Sequence, residues 1–304
     1  MQLYPSDEAM TEKYLLIITC DTIKAVHFEV LKQLTSQSIV LAYNRFTARR
    51  GCPILCSFNP SRAYLEGDKV TRNVVQHLPL SHLERSVRID GTQWMVNSAS
   101  PYLENLKSDV WEKQLMVICK HLRNALSNVL TLDEETFTTV LARIESSVNA
   151  RPLSQVDCST GPRILTPRDV LIPCRPDMEP EDEVYKMRAH SCEEELAKVL
   201  TRIFWEGWSR DHLLILRDHH RKQGYKPELT IGDLVMRIEH QPADDTWYTG
   251  QVANFSEVFC VSTSASRPNR GPLRLVDLHS GDTGCRRLER HLIRLGSKYL
   301  PGTL

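Results

Sequence analysis

The spacing of apolar residues changes character several times along the chain, and each change marks an element. Tyr14 to Cys20, YLLIITC, is almost continuously apolar and rich in β-branched residues, as in a strand covered on both faces. A turn at Asp21-Thr22 follows. The next run, KAVHFEVL, alternates Ala25, His27 and Glu29 against Val26, Phe28 and Val30, so the two runs read as a hairpin. From Ser36 to Arg49 the period lengthens: Ile39, Ala42, Tyr43 and Phe46 recur at helical spacing, and Gly51 and Pro53 form the stop. Ile54 and Leu55 then begin a short strand that runs to Phe58 and meets the turn initiator Asn59-Pro60.

Residues 63 to 88 carry a weaker pattern of helix and loop, and TQWMVN reads as one more short strand. From Ser108 to Leu130 the helical signal is strong: Ser108 can cap it, and Leu115, Ile118, Leu122, Leu126 and Val129 share one face. Leu132 to Pro152 predicts a second helix, with acids at its start and Val140, Leu141, Ile144 and Val148 along one stripe. PCRPDMEPEDEVYK, rich in proline and acid, is a linker. Beyond it two helical pieces are expected, the first burying Leu196, Val199, Leu200, Ile203 and Phe204, the second being SRDHLLILRDHHRKQ. From Leu229 the grammar changes to short strands separated by turns such as Asp244-Asp245, Arg270-Gly271 and Ser280-Gly281, the pattern of a small β-barrel.

Composition narrows the class without naming a partner. At 304 residues, 41% hydrophobic and 25% charged, the chain is long enough for two cored domains and is not largely disordered. Formal net charge is zero, so any nucleic-acid surface must be a local concentration of basic residues. The first residues lack the basic segment and apolar core of a signal peptide, and no run reaches the roughly 18 apolar residues of a membrane span. Nine scattered cysteines suggest reduced thiols and an intracellular setting. Cys52, Cys56, His77 and His82 loosely imitate a zinc finger, but the loop between the pairs is too long and CPILC reads as strand.

Five linked motifs in order give the chain a resemblance. IITCDTIKAVHFEV resembles TC-x-T-x-RAVHLE, and YNRFTARRGCP resembles RRF-x-ARRG-x-P; VWEKQL resembles GG-x-WER-x-I; VNARPLS and ILTPRDVLI resemble NSRPLT and LTP-x-x-x-L. All belong to the integrase region of Pao (BEL) retrotransposon polyproteins. RIFWEGWSRDHLLIL, LTIGDLVMR and WYTGQVANF are similar to the domain that follows the integrase core there, whose GDLV and W-x-x-G-x-V elements belong to an SH3-like barrel. The resemblance implies an α/β ribonuclease H-like integrase core, truncated at its N-terminus, over residues 1–172. An acidic, proline-containing linker over 173–190, a helical connector over 191–226 and a small all-β SH3-like barrel over 227–298 follow.

Integrases of this kind hold two divalent metals, Mg²⁺ or Mn²⁺, on three carboxylates, one metal activating the attacking oxygen and the other stabilising the leaving oxygen. The resemblance aligns Phe58 with the second of these, in an SDNG-T motif that here reads SFNPS. Phenylalanine cannot coordinate a metal, and Pro60 stands where the family has glycine. The first aspartate, from a D-x-x-GP strand, has no convincing counterpart; Asp7 and Asp21 are imperfect substitutes. Glu112 matches the third, and reads equally well as an acid favoured at a helix start. No cofactor is therefore expected in this chain.

Basic residues supply the expected nucleic-acid contacts: Lys113, Lys120 and Arg123 on the helix after Glu112, and Arg210, Arg217, Arg221, Lys222 and Lys226 along the connector. Arg286 and Arg287, with Arg290 and Arg294, add a group at the barrel's end. Trp205 and Trp208 read as packing anchors, and Trp247 and Tyr248 as barrel filling. The expectation is an integrase-derived, catalytically degenerate protein, nuclear rather than cytoplasmic, that keeps binding to nucleic acid, DNA above all, without strand transfer. It would self-associate through its core and have no membrane partner. Two alternatives stand beside it: an active metal-dependent integrase that is part of a longer polyprotein, and a non-catalytic protein-interaction scaffold.

Overall fold

The computed structural model describes residues 2–3, 13–58, 77–96, 109–127, 129, 132–158, 161–172, 192–222, 229–237, 247, 249–258, 273–280, 283–288 and 292–294. The chain forms two compact units: Met1–Asn149 with Arg168–Trp205, and Ala150–Pro167 with Glu206–Leu304. The expected linker over 173–190 lies outside the described residues.

In the first unit, β1 (Gln2–Leu3), β2 (Lys13–Thr19) and β3 (Val26–Leu31) form an antiparallel sheet in that order. The turn between β2 and β3 is closed by Cys20 N–H donating to the Ala25 carbonyl at 2.9 Å and by Lys24 Nζ donating to Asp21 Oδ1 at 2.6 Å. The alternation in KAVHFEVL predicted this hairpin, but both sets of alternating residues are buried: His27 is 6% and Glu29 4% exposed. A strand with two buried faces must satisfy its polar side chains internally.

Helix α1 (Ser36–Arg50) starts at Thr35, whose hydroxyl accepts from Ser38 N–H, and ends at Gly51, whose φ of 84° is the left-handed value that favours glycine. Ile39, Ala42 and Tyr43 are buried as their spacing predicted. They pack with Leu31 and with Leu83 and Val87 of α2 (Ser81–Ile89) and Trp94, forming the core that supports β4 (Leu55–Phe58) and β5 (Gln93–Val96). Burial of each such side chain contributes roughly 1.5–3 kcal/mol. β4 and β5 pair in parallel, Phe58 opposite Val96. Tyr43 Oη donates to Thr92 Oγ1 at 3.2 Å, and that hydroxyl donates to the Pro53 carbonyl at 2.7 Å, tying α1 to the strand starts.

Helices α3 (Asp109–Ser127) and α4 (Glu134–Asn149) bury the stripes read from sequence, with Ile118, Leu122, Val140, Ile144 and Val148 all at 0% exposure. Asp133 caps α4 by accepting from Thr136 N–H at 2.8 Å, and that hydrogen bonding holds its carboxyl below the usual range. The proposed cap Ser108 lies outside the described residues. A short helix, α5 (Pro167–Leu171), follows the hairpin of β6 (Ser154–Cys158) and β7 (Gly161–Leu165).

Helix α6 (Cys192–Lys222) corrects two expectations. The two helical pieces are one continuous helix of 31 residues. Its buried side is Ala197, Leu200, Phe204, Trp205, Trp208 and Leu213, while Val199 and Ile203 are 47% and 40% exposed. The two tryptophans are large enough to set which side is covered, so the stripe turns away from Val199 and Ile203. The helix passes from the first unit to the second at Trp205 and Glu206.

The second unit contains an antiparallel sheet in the order β11-β10-β9-β8-β12, from β8 (Leu234–Arg237), β9 (Thr249–Val258), β10 (Leu273–Ser280), β11 (Thr283–Leu288) and β12 (Leu292–Arg294). Val235, Val252, Val276, Leu278 and Leu292 form its core with Leu229. The GDLV element has a local cause: Gly232 takes φ 94°, its N–H reaches the Val252 carbonyl, and Asp233 Oδ2 accepts from Thr230 N–H at 2.7 Å. No helix among the described residues is long and apolar enough to cross a membrane.

Candidate functional site

A connected group of charged side chains lies along β3, at the end of its sheet. Among the described residues β3 pairs only with β2, so its alternate residues present main-chain groups that no described strand receives. Side chains take the place of that strand. Asn149 Oδ1 accepts from Val26 N–H at 2.8 Å and Asn149 Nδ2 donates to the Val26 carbonyl at 2.7 Å, as a backbone amide would. One turn earlier on α4, Glu145 Oε2 accepts from Phe28 N–H at 2.9 Å. Arg45 Nη2 donates to the Val30 carbonyl at 3.3 Å.

The remaining valences of these groups close a network. His27 lies between two carboxylates, Nδ1 3.1 Å from Glu145 Oε1 and Nε2 3.1 Å from Glu29 Oε1. Glu29 also accepts from Arg45 Nε at 2.6 Å and Arg49 Nη1 at 2.9 Å, and Glu145 from Arg50 Nη2 at 2.7 Å. Each ring nitrogen thus faces a carboxylate oxygen. Burial pushes the Glu145 carboxyl upward, but hydrogen bonds from His27, the Phe28 N–H and Arg50 outweigh it and hold the group below its ordinary range. The Phe46 ring stands 5.4 Å from that of His27, covering one side.

Three of the stretches that carry the resemblance thus meet at one place: AVHFEV on β3, YNRFTARRG on α1 and VNARP at the end of α4. Sequence reasoning assigned none of His27, Glu29, Arg45, Arg49, Arg50 or Glu145 a role. The available signal was Glu29 and His27 within an otherwise apolar strand, which calls for buried partners. Chemically the cluster is a lock: its carboxylates are held by arginines, and its imidazole is 6% exposed.

The residues expected to act on nucleic acid or metal are dispersed. Phe58 is the last residue of β4, and Glu112 lies in the first turn of α3. Lys113 and Lys120 are exposed on α3, and Arg123 is half-buried. On α6, Arg210 Nε lies 3.5 Å from Asp211 and Arg217 Nε 4.0 Å from Asp218, so each of these basic residues has an acid beside it. Arg221 and Lys222 end that helix, and Lys226 is outside the described residues. Arg286 and Arg287 on β11 stand opposite Asp277 and Val276 of β10. Among the described residues, no three histidine, cysteine, aspartate or glutamate side chains converge as a metal site. Cys56 is half-buried in β4, where burial pushes its thiol up to about 11.

The second unit has a separate aromatic group. His212 stacks on Trp208 with ring centroids 5.0 Å apart, and Trp247 meets both edge-on at 5.8 Å. Neither nitrogen of His212 has a hydrogen-bond partner. Burial, and secondly the charge of Arg151, lower its pKa to about 3, so the ring is a neutral packing element. Trp208 and Trp247 are packing residues, as their sequence setting indicated.

No family model matches the chain, and no curated protein matches it. Among solved structures, the chain is similar to one described as the cryoEM structure of a simian T-cell lymphotropic virus intasome in complex with PP2A regulatory subunit B56 gamma. The identity is 10%, the match covers 97% of this chain and 76% of that chain, and the TM-score is 0.35. A likeness of that size carries no argument about fold or function.

Proposed function

We propose that the chain derives from a Pao-type integrase and binds nucleic acid in the nucleus without catalysing strand transfer. In this reading residues 1–172 are a ribonuclease H-like core, 191–226 a connector and 227–298 an SH3-like barrel. One observation carries the loss of catalysis. Across β1 to β5 the only acidic residue is Glu29, and its carboxylate is taken by His27, Arg45 and Arg49. A two-metal site needs several hard oxygen donors on a rigid frame, and the strands offer none to spare. Phe58, at the position of the second ligand in the resemblance, has no donor atom. The described residues of these strands therefore do not fit the Mg²⁺ or Mn²⁺ pair of active relatives.

Support for nucleic-acid binding comes from exposed Lys113 and Lys120 on α3. A fluorescence-anisotropy titration with duplex DNA and with RNA, repeated between about 50 and 200 mM salt, tests it. Affinity that falls steeply with salt, with a slope of roughly −0.9 per phosphate contacted, is expected. Salt-insensitive or undetectable binding would reject the reading, and an oligomer in solution with no such affinity would favour a protein scaffold.

A further inference from the structure

We propose that Arg45, Arg49 and Arg50 form a phosphodiester-contact face at the C-terminal end of α1, held in position by Glu29 and Glu145. The inference rests on the nucleic-acid reading for its ligand and adds a site that sequence reasoning did not assign. Three arginines face two carboxylates, so the cluster carries a surplus of positive charge. That surplus is directed outward: the carboxylate of Glu29 is 4% exposed, whereas the Arg45 and Arg49 side chains are 42% and 59% exposed and that of Arg50 is 25%.

A guanidinium has five N–H donors in a planar fork that suits phosphate oxygens in pairs. The contacts to Glu29, the Val30 carbonyl and Glu145 engage two donors of Arg45 and one each of Arg49 and Arg50. Donors remain on all three. Arg45 and Arg49 are four residues apart on one helical face, and both are anchored to the same carboxylate, one to each oxygen. Two forks fixed side by side before a ligand arrives lose less freedom on binding than two solvated lysines. The bland reading, that basic residues in the last turn offset the helix dipole, accounts for Arg49 and Arg50 but not for Arg45 a turn earlier.

The test uses the wild-type protein. Phenylglyoxal, which modifies accessible arginines, is applied to free protein and to protein with duplex DNA at about ten times Kd, and modified residues are read by mass spectrometry. Modification of Arg49 is expected to fall about tenfold, following the free fraction of protein. The Arg49→Gln variant leaves Glu29 with Arg45 and His27, and is expected to keep its melting temperature while the salt slope decreases by about 1. Salt-sensitive DNA binding with Arg49 modified equally in both states overturns this inference and leaves the nucleic-acid reading standing. Absence of salt-sensitive binding overturns both.

Discussion

Replacing Asn149 with alanine tests whether side chains stand in for a missing strand at β3. Asn149 is 3% and Val26 1% exposed, so water has little access to the groups that would lose their partners. The substitution removes the 2.8 Å bond from Val26 N–H and the 2.7 Å bond to its carbonyl. Leaving a buried main-chain donor or acceptor unsatisfied costs about 1–3 kcal/mol each, and partial relaxation of the strand returns some of this. A net loss of roughly 2–4 kcal/mol is expected, a large share of the ~5–15 kcal/mol that stabilises most domains. With a urea m-value of about 2 kcal/mol/M, the midpoint of the first unit should fall by about 1–2 M. Hydrogen exchange locates the effect: the Val26 amide should lose protection while amides in the middle of α4 keep theirs. Asn149→Asp provides a second measure, because it keeps an acceptor for Val26 N–H but sets a carboxylate against the Val26 carbonyl, and should be at least as damaging. A midpoint shift below about 0.3 M, with Val26 still protected, would refute the reasoning.

Three further outcomes follow from the same geometry. The Glu145 carboxyl is held below its ordinary 4.5, so its stabilisation is present above that pH and is lost as pH falls through the folded-state value; the urea midpoint of wild type should therefore drop more steeply than that of Glu145→Gln below about pH 4.5, and parallel curves would contradict this. His212, depressed to about 3 by burial and then by Arg151, should show no change in its ring NMR signals between about pH 8 and 5, whereas a midpoint near the ordinary 6.5 would show that the ring is solvated. Because the unfolded chain takes up that proton below about pH 6.5 and the folded one does not, His212 also lowers stability as pH falls. Phe58→Asp alone should produce no Mg²⁺- or Mn²⁺-dependent joining of DNA ends in a gel assay; joining would sink the non-catalytic reading.

Elements with a single, repeated stripe were legible in the sequence. α1 and α4 lie within three residues of their expected bounds at both ends. The hairpin of β6 and β7 was not read as strands, because SQVDC and GPRIL carry neither alternation nor a run of β-branched residues. α6 was divided because its apolar residues surround the helix, so that no stripe could be chosen without knowing where Trp205 and Trp208 pack. The charged network was least legible. Glu145 meets Phe28 across 117 residues and Asn149 meets Val26 across 123, and no local spacing encodes such pairs. A charged residue on a strand is ordinarily read as facing water. Only the neighbours of Glu29 reveal that it does not.

Of the motifs that suggest an ancestry, VWEKQL contains Glu112, whereas those on β3, α1 and the end of α4 contribute a network of their own. His27, Glu29, Arg45, Arg49, Arg50, Glu145 and Asn149 hold a sheet edge, a helix end and a second helix together. Removing the Glu29 or Glu145 carboxylate leaves the buried groups around it unpaired, at about 3–5 kcal/mol, so a change at either is opposed by the fold itself. A metal-binding carboxylate is under the reverse pressure. Several acids gathered for two metals repel one another when no metal is bound, and replacing one by an apolar side chain relieves that repulsion. On the proposed reading, stability alone would therefore retain Glu29 and Glu145 while permitting an aspartate at position 58 to become Phe58. If the proposed ancestry holds, the chain keeps these stretches after its carboxylates are gone, and they record what holds the core rather than what the core once catalysed.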